Sequence, residues 1–127
     1  MSYSIQPWLS VHNGIQALEF YKLAFDAIET YRLDAPGEMV VARLSVNGAE
    51  FWLSSESSED GSSNAESSKG GTVRMILIVD NPEQVFDKAL KAGARQVYPV
   101  SESHGWKIGR LADPFGHHWE IGHIISH

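Results

Sequence analysis

The side chains best suited to chemistry in this chain gather near its end. His117 and His118 are adjacent, and Glu120 follows two residues after His118. Residues two apart in a strand share a face, so His118, Glu120 and Gly122 point one way while Trp119 and Ile121 pack inward. The same alternation groups Gln6 with Trp8 and Ser10, Glu50 with Trp52 and Ser54, and Arg74 with Ile76 and Ile78. The planar guanidinium of Arg74 matches a carboxylate or phosphonate group. Glu120 could serve as a base if desolvation raised its pKa. Trp8 and Trp52 offer indole faces for stacking on a planar or cationic ligand. His12 precedes a helix and is expected to be exposed. His117 is expected to face away from the site, and His123 and His127 to be solvated. His104, beside Gly105 and Trp106, could join His118 as a metal pair, though no fixed spacing supports it. There is no cysteine, which excludes disulfides, thiolate metal sites and thiol nucleophiles. No serine–histidine–aspartate elbow, phosphate loop or dinucleotide fingerprint is present.

These residues need strands to present them. Tyr3–Val11 alternates as a strand, with Leu9 and Val11 on its core face. Asn13 is a helix N-cap, and Ile15, Leu18, Tyr21 and Phe25 form one apolar stripe behind it. Strands are expected over Ala27–Leu33, Met39–Val46 and Ala49–Ser54, with Asn47-Gly48 as a two-residue hairpin turn. A serine-rich, acidic stretch at about 55–71 reads as a linker. The pattern then restarts. Thr72–Val79 is a strand, and Asn81-Pro82 caps and opens a helix that ends at Gly93. Three strands follow, over Arg95–Val100, Trp106–Ala112 and His117–Ile125.

The two halves repeat. An offset of 68 places Asn13 on Asn81 and Phe51 on Trp119, whereas an offset of 67 places Tyr31 on Tyr98. A one-residue length difference near the helix ends accounts for the change. The order is therefore βαβββ, linker, βαβββ. The expected fold is α+β, a single domain over 1–127. Module 1 spans about 3–54 and module 2 about 72–125. In pseudo-two-fold repeat they form a curled, cup-shaped mixed sheet with helices on the outer face.

The segments Pro7-Trp8-Leu9 and Ala17-Leu18-Glu19-Phe20-Tyr21, joined with the terminal Asp113-Pro114-Phe115-Gly116-His117-His118-Trp119-Glu120, resemble the vicinal oxygen chelate superfamily. That group includes glyoxalase I, bleomycin-resistance proteins, fosfomycin-resistance enzymes and extradiol dioxygenases. The "FY" pair and the "DPFGHxW" hairpin look most like its PhnB-like branch. The resemblance implies four metal-ligand positions, which fall on Gln6, Trp52, Arg74 and Glu120. Glutamine and glutamate suit a divalent ion. Tryptophan has no in-plane lone pair to give, and arginine repels the ion. Only Gln6 and Glu120 thus match ligand positions, and no cofactor is expected.

The net charge of −6 over 127 residues argues against a nucleic-acid or membrane-surface partner. No signal peptide or apolar span is visible, so a cytoplasmic location is expected. Two functions remain open. One is a metal-free small-molecule-binding protein whose cup uses Gln6, Trp8, Trp52, Arg74, His118 and Glu120 for an anionic or aromatic ligand. The other is an enzyme of the same superfamily, either a metal-dependent lyase, isomerase or dioxygenase or one with Glu120 as the catalytic group. The resemblance also implies a homodimer, with modules paired within a chain or exchanged between chains.

Overall fold

The structure, a computed structural model, describes residues 3–56 and 73–125. Most of the expected linker lies outside the described residues. Module 1 comprises β1 (Trp8–Val11), α1 (Gly14–Phe25), β2 (Ile28–Ala35), β3 (Met39–Val46) and β4 (Ala49–Ser55). Module 2 comprises β5 (Met75–Ile78), α2 (Pro82–Ala92), β6 (Arg95–Ser103), β7 (Trp106–Ala112) and β8 (His118–Ile124). Each module holds its own four-stranded mixed sheet, in the orders β1-β4-β3-β2 and β5-β8-β7-β6. The first pair in each order is parallel and the other pairs are antiparallel. The α+β class and the βαβββ order are therefore as the sequence predicts.

Both helices start where the caps require. Asn13 accepts a hydrogen bond from the Gln16 amide, and Asn81 accepts one from the Gln84 amide. The helices have 12 and 11 residues, which is the one-residue difference that shifts the repeat offset to 67. The offset returns to 68 at the second β-hairpin. Val46 pairs with Ala49 around Asn47-Gly48, whose φ values of 50° and 96° are both left-handed. The Ser45–Glu50 pair of module 1 encloses four residues, and the equivalent Ala112–His118 pair of module 2 encloses five, one more.

Two strands start later than expected. β1 begins at Trp8, and Tyr3 and Ile5 before it are almost fully exposed. Pro7 lacks an N–H but accepts a bond from the Trp52 amide at 2.8 Å, so the chain joins the sheet there. Gln6 thus lies just ahead of β1, and Arg74 just ahead of β5.

The modules meet through α1 and α2 and through an aromatic cluster of Tyr21, Phe25, Phe51 and Trp119. Asp113 binds this cluster to the second hairpin. Its carboxylate, 4% exposed, accepts from the Tyr21 hydroxyl at 2.5 Å, Trp119 Nε1 at 3.0 Å, the Phe115 amide at 2.9 Å and the His117 amide at 3.0 Å. Burial, followed by the Asp113 charge and hydrogen bond, raises the Tyr21 phenol well above its ordinary pKa, so Tyr21 stays a donor. Among the described residues, no helix is long and apolar enough to cross a membrane.

Candidate functional site

Strand register places the site residues in two transverse rows. In module 1, Trp8 pairs with Trp52, Trp52 with Arg43, and Arg43 with Tyr31. In module 2, Ile76 pairs with Glu120, Glu120 with Arg110, and Arg110 with Tyr98. Leu9, Phe51, Leu53, Trp119 and Ile121, which alternate with these positions, are buried. The face assignments made from sequence alternation are thus the observed ones.

The module 1 row is aromatic. The Trp8 and Trp52 rings stack at 5.5 Å with an interplanar angle of 9°. Tyr31 tilts against Trp52 at 5.7 Å, and the Arg43 guanidinium lies 5.4 Å from the Trp52 ring centre. Trp8 donates to Ser54 Oγ at 2.9 Å, and Trp52 donates to Gln6 Oε1 at 2.8 Å. Both indole N–H groups are therefore satisfied, while Trp8 remains 53% exposed.

The module 2 row is ionic. Arg74 Nε donates to Glu120 Oε1 at 2.5 Å, and the Tyr98 hydroxyl donates to Glu120 Oε2 at 2.6 Å. Burial alone would raise the Glu120 carboxyl. The bonds from Tyr98 and Arg74 and the charges of Arg74 and Arg110 outweigh it, so the pKa lies below the ordinary carboxylate value. A general base needs the opposite shift, and both oxygens already hold donors. Tyr98 moves upward, first through burial and then through its bond to Glu120. Arg110 Nε donates to His118 Nδ1 at 3.0 Å. Burial, then the charges of Arg110 and Arg95, lower the His118 pKa and keep its ring neutral.

Arg74 and Glu120 are neighbours within one module, as are Gln6 and Trp52. The two pairs share no hydrogen bond or ion pair among the described residues. The clefts around Val46, Ala49 and Leu77 lie between the β3–β4 turn and β5, and hold none of the row side chains from Trp52 to Tyr31 or from Glu120 to Tyr98. Both rows are open to solvent, with Trp8 and the Arg74 side chain each about half exposed.

The donor set does not fit the divalent metal that the resemblance implies. Gln6 Oε1 is spent on an indole N–H, Trp52 offers no lone pair, and Arg74 puts a cation on Glu120. Among the described residues no group of three or more histidine, aspartate and glutamate side chains could hold an ion. His104 bonds to its neighbour Ser103 in an exposed turn, and no such group joins it to His118. His117 faces away from the row, its Nε2 lying 2.8 Å from the Ser10 carbonyl of β1. His123, expected to be solvated, is instead partly buried with its Nδ1 2.9 Å from the Val79 carbonyl; His127 lies outside the described residues, and His12 is exposed against the Phe115 ring.

Four row residues were not singled out as site residues from the sequence: Tyr31, Arg43, Tyr98 and Arg110. The repeat contained a signal for them. Tyr31 matches Tyr98 at offset 67, and Arg43 matches Arg110 at the same offset. The strands carrying the two arginines gave no clear face assignment, because their alternation is weak. Register with the neighbouring strands supplies it.

Comparison with known proteins agrees with this architecture. Residues 12–122 match the family described as a glyoxalase-like domain. An uncharacterised protein of Mycobacterium bovis is 37% identical over 134 residues, covering 98% of this chain and 88% of its own. The crystal structure of an Arabidopsis thaliana gene product is 30% identical with a TM-score of 0.73, covering 95% of this chain and 98% of that one. The PhnB protein of Bacillus cereus, at 16% identity and a TM-score of 0.71 over 95% and 99% of the two chains, shares the fold. With its two βαβββ modules, its aspartate-anchored hairpin and a family match over nearly its whole length, the chain belongs to the glyoxalase-like domain family.

Proposed function

We propose that this protein binds a small molecule without a metal, using the aromatic row of module 1 and the ionic row of module 2. One observation carries the reading. The four positions where the family resemblance implies metal ligands are closed into two self-satisfied pairs, Gln6–Trp52 and Arg74–Glu120. Such pairs leave no ligand set for an ion, but they leave an exposed indole face in one row and cationic groups in the other. A planar or aromatic ligand with an anionic group suits these surfaces. The lowered pKa of Glu120 weighs against its use as a base, so binding is favoured over catalysis.

The reading includes a homodimer. Each row is open in one chain, and the apolar side chains Trp8, Ile76 and Ile78 are about half exposed near these faces. A second copy would cover them and turn open faces into cups. A cytoplasmic setting and the absence of nucleic-acid or membrane partners belong to the same reading.

The test is a thermal-shift screen with aromatic carboxylates and sulfonates, alongside metal analysis of protein purified without chelator. At least one compound should raise the melting temperature, and Trp52→Ala should abolish the rise. Stoichiometric nickel, zinc, iron or manganese that disappears in Glu120→Ala would overturn the proposal. So would a ligand response indifferent to Trp52→Ala.

A further inference from the structure

We propose that Arg110 is an anion-binding residue, whose guanidinium receives the carboxylate, sulfonate or phosphonate group of the ligand beside His118 and Tyr98. This deepens the binding reading above and rests on it. The argument comes from comparing the two modules at equivalent positions.

Arg43 of module 1 has a counter-charge. Its Nε lies 3.3 Å from a Glu50 oxygen and donates to Thr30 Oγ1 at 2.9 Å, and its plane lies over Trp52. The offsets of 67 and 68 map Thr30 onto Val97 and Glu50 onto His118. Both strand pairs skip these residues alike, since the register shifts between Glu29 and Tyr31 and between Gln96 and Tyr98. Module 2 has thus replaced the threonine hydroxyl with an apolar side chain and the carboxylate with an imidazole.

Arg110 consequently has one hydrogen-bond partner, the neutral His118 ring at Nδ1, and shares the charge of Glu120 with Arg74. Among the described residues no carboxylate lies within ion-pair distance of Arg110, and its terminal nitrogens, like those of Arg43, make no hydrogen bond. Glu120, the nearest acid in the row, is occupied on both oxygens by Arg74 and Tyr98. Two arginines therefore flank one carboxylate, and Arg95 adds further positive charge at His118. This is a local excess of cation on a chain of net charge −6. A half-buried guanidinium normally has a counter-charge, and its unused fork matches the two oxygens of an oxyanion.

His118 reports on the site. The charges facing it are Arg110 and Arg95, which lower its pKa, His117, which does so weakly, and Asp113, which opposes them. An anion on Arg110 offsets the first of these charges. The pKa of His118 should therefore rise when the site fills.

The experiment follows the His118 imidazole by NMR while sodium sulfate is titrated against sodium chloride of matched ionic strength. Sulfate should raise the His118 pKa saturably in the wild-type protein and in Trp52→Ala. Arg110→Gln should weaken sulfate binding about tenfold to a hundredfold, and Arg110→Lys should fall between, because it keeps the charge and loses the fork. No saturable response, or equal sulfate binding by Arg110→Gln and wild type, would overturn the inference. If aromatic compounds still bind in a Trp52-dependent way while sulfate does not, the anion site falls and the binding reading stands. Failure of both arms removes both.

Discussion

Replacing Asp113 with asparagine should destabilise the protein by about 2–3 kcal/mol, although it changes one atom. The carboxylate accepts four hydrogen bonds, two on each oxygen, and is 4% exposed. An asparagine carbonyl can serve only one of these pairs. If it faces Tyr21 and Trp119, the amide N–H groups confront the Phe115 and His117 amides. If it flips, they confront the Trp119 indole N–H. Either orientation leaves buried donors without acceptors, at about 1–3 kcal/mol each, and loses charge-assisted bonds. Local adjustment and an entering water reduce the total. Asp113→Ala removes every acceptor and should cost about 3–5 kcal/mol, a large share of the 5–15 kcal/mol typical of a domain. Urea unfolding followed by tryptophan fluorescence measures both. Tyr21→Phe supplies the coupling, since it and Asp113→Asn disturb the same bond and their costs should fall short of additivity by about 1 kcal/mol. A cost below about 1 kcal/mol for Asp113→Asn, or strict additivity, would refute the claim that this carboxylate ties the modules together.

Two other expectations follow from packing and charge. Gly14→Ala places a Cβ 2.3 Å from Val40 Cγ1 and 2.4 Å from Ser55 Oγ, so it should cost about 1–3 kcal/mol by overpacking, measurable in the same unfolding assay. Glu120 has a folded pKa below its unfolded value, so its contribution is present above about pH 4.5 and is lost as the pH falls through the folded value. His118 is also lowered. The unfolded chain therefore takes up its proton first, and stability should fall as the pH drops below about 6.5. Burial, the largest cause of the His118 shift, persists in Arg110→Gln, so that variant should flatten the histidine part of a stability–pH profile only in part, and an unchanged profile would count against the Arg110 contribution.

The architecture was largely legible because caps, turns and periodicity agree with one another. Asn13 and Asn81 both cap helices, Asn47-Gly48 makes the hairpin, and Met39–Val46 and Trp106–Ala112 are strands over those spans. The strand ends were less legible. Tyr3–Gln6 has strand composition but no ladder partner, and only the Pro7 carbonyl begins the pairing. Alternation was sufficient to set Trp8, Trp52 and Glu120 on the row faces. It was insufficient for Arg43 and Arg110, whose faces depend on neighbouring strands. It also suggests that Arg74 and Glu120 meet across the pseudo-two-fold axis, whereas β5 pairs with β8 inside one module, which sequence order does not show.

The most specific motif in the chain is also its least chemical one. In Asp113-Pro114-Phe115-Gly116-His117-His118-Trp119-Glu120, the buried side chains Asp113, Phe115 and Trp119 build the turn and the inter-module cluster. His117 reaches across to β1. Only His118 and Glu120 face the ionic row. The motif therefore identifies a fold because most of it is held by packing and buried hydrogen bonds, which tolerate little change. What the fold does is decided at a few row positions that packing does not fix. There the two modules have diverged: Trp52 stands opposite Glu120, Glu50 opposite His118, and Thr30 opposite Val97. The exchanges at Glu50 and Thr30 remove from module 2 the carboxylate and the hydroxyl that meet Arg43 in module 1. Divergence between internal repeats thus locates a guanidinium with no carboxylate within ion-pair distance, the feature on which the proposed anion site rests.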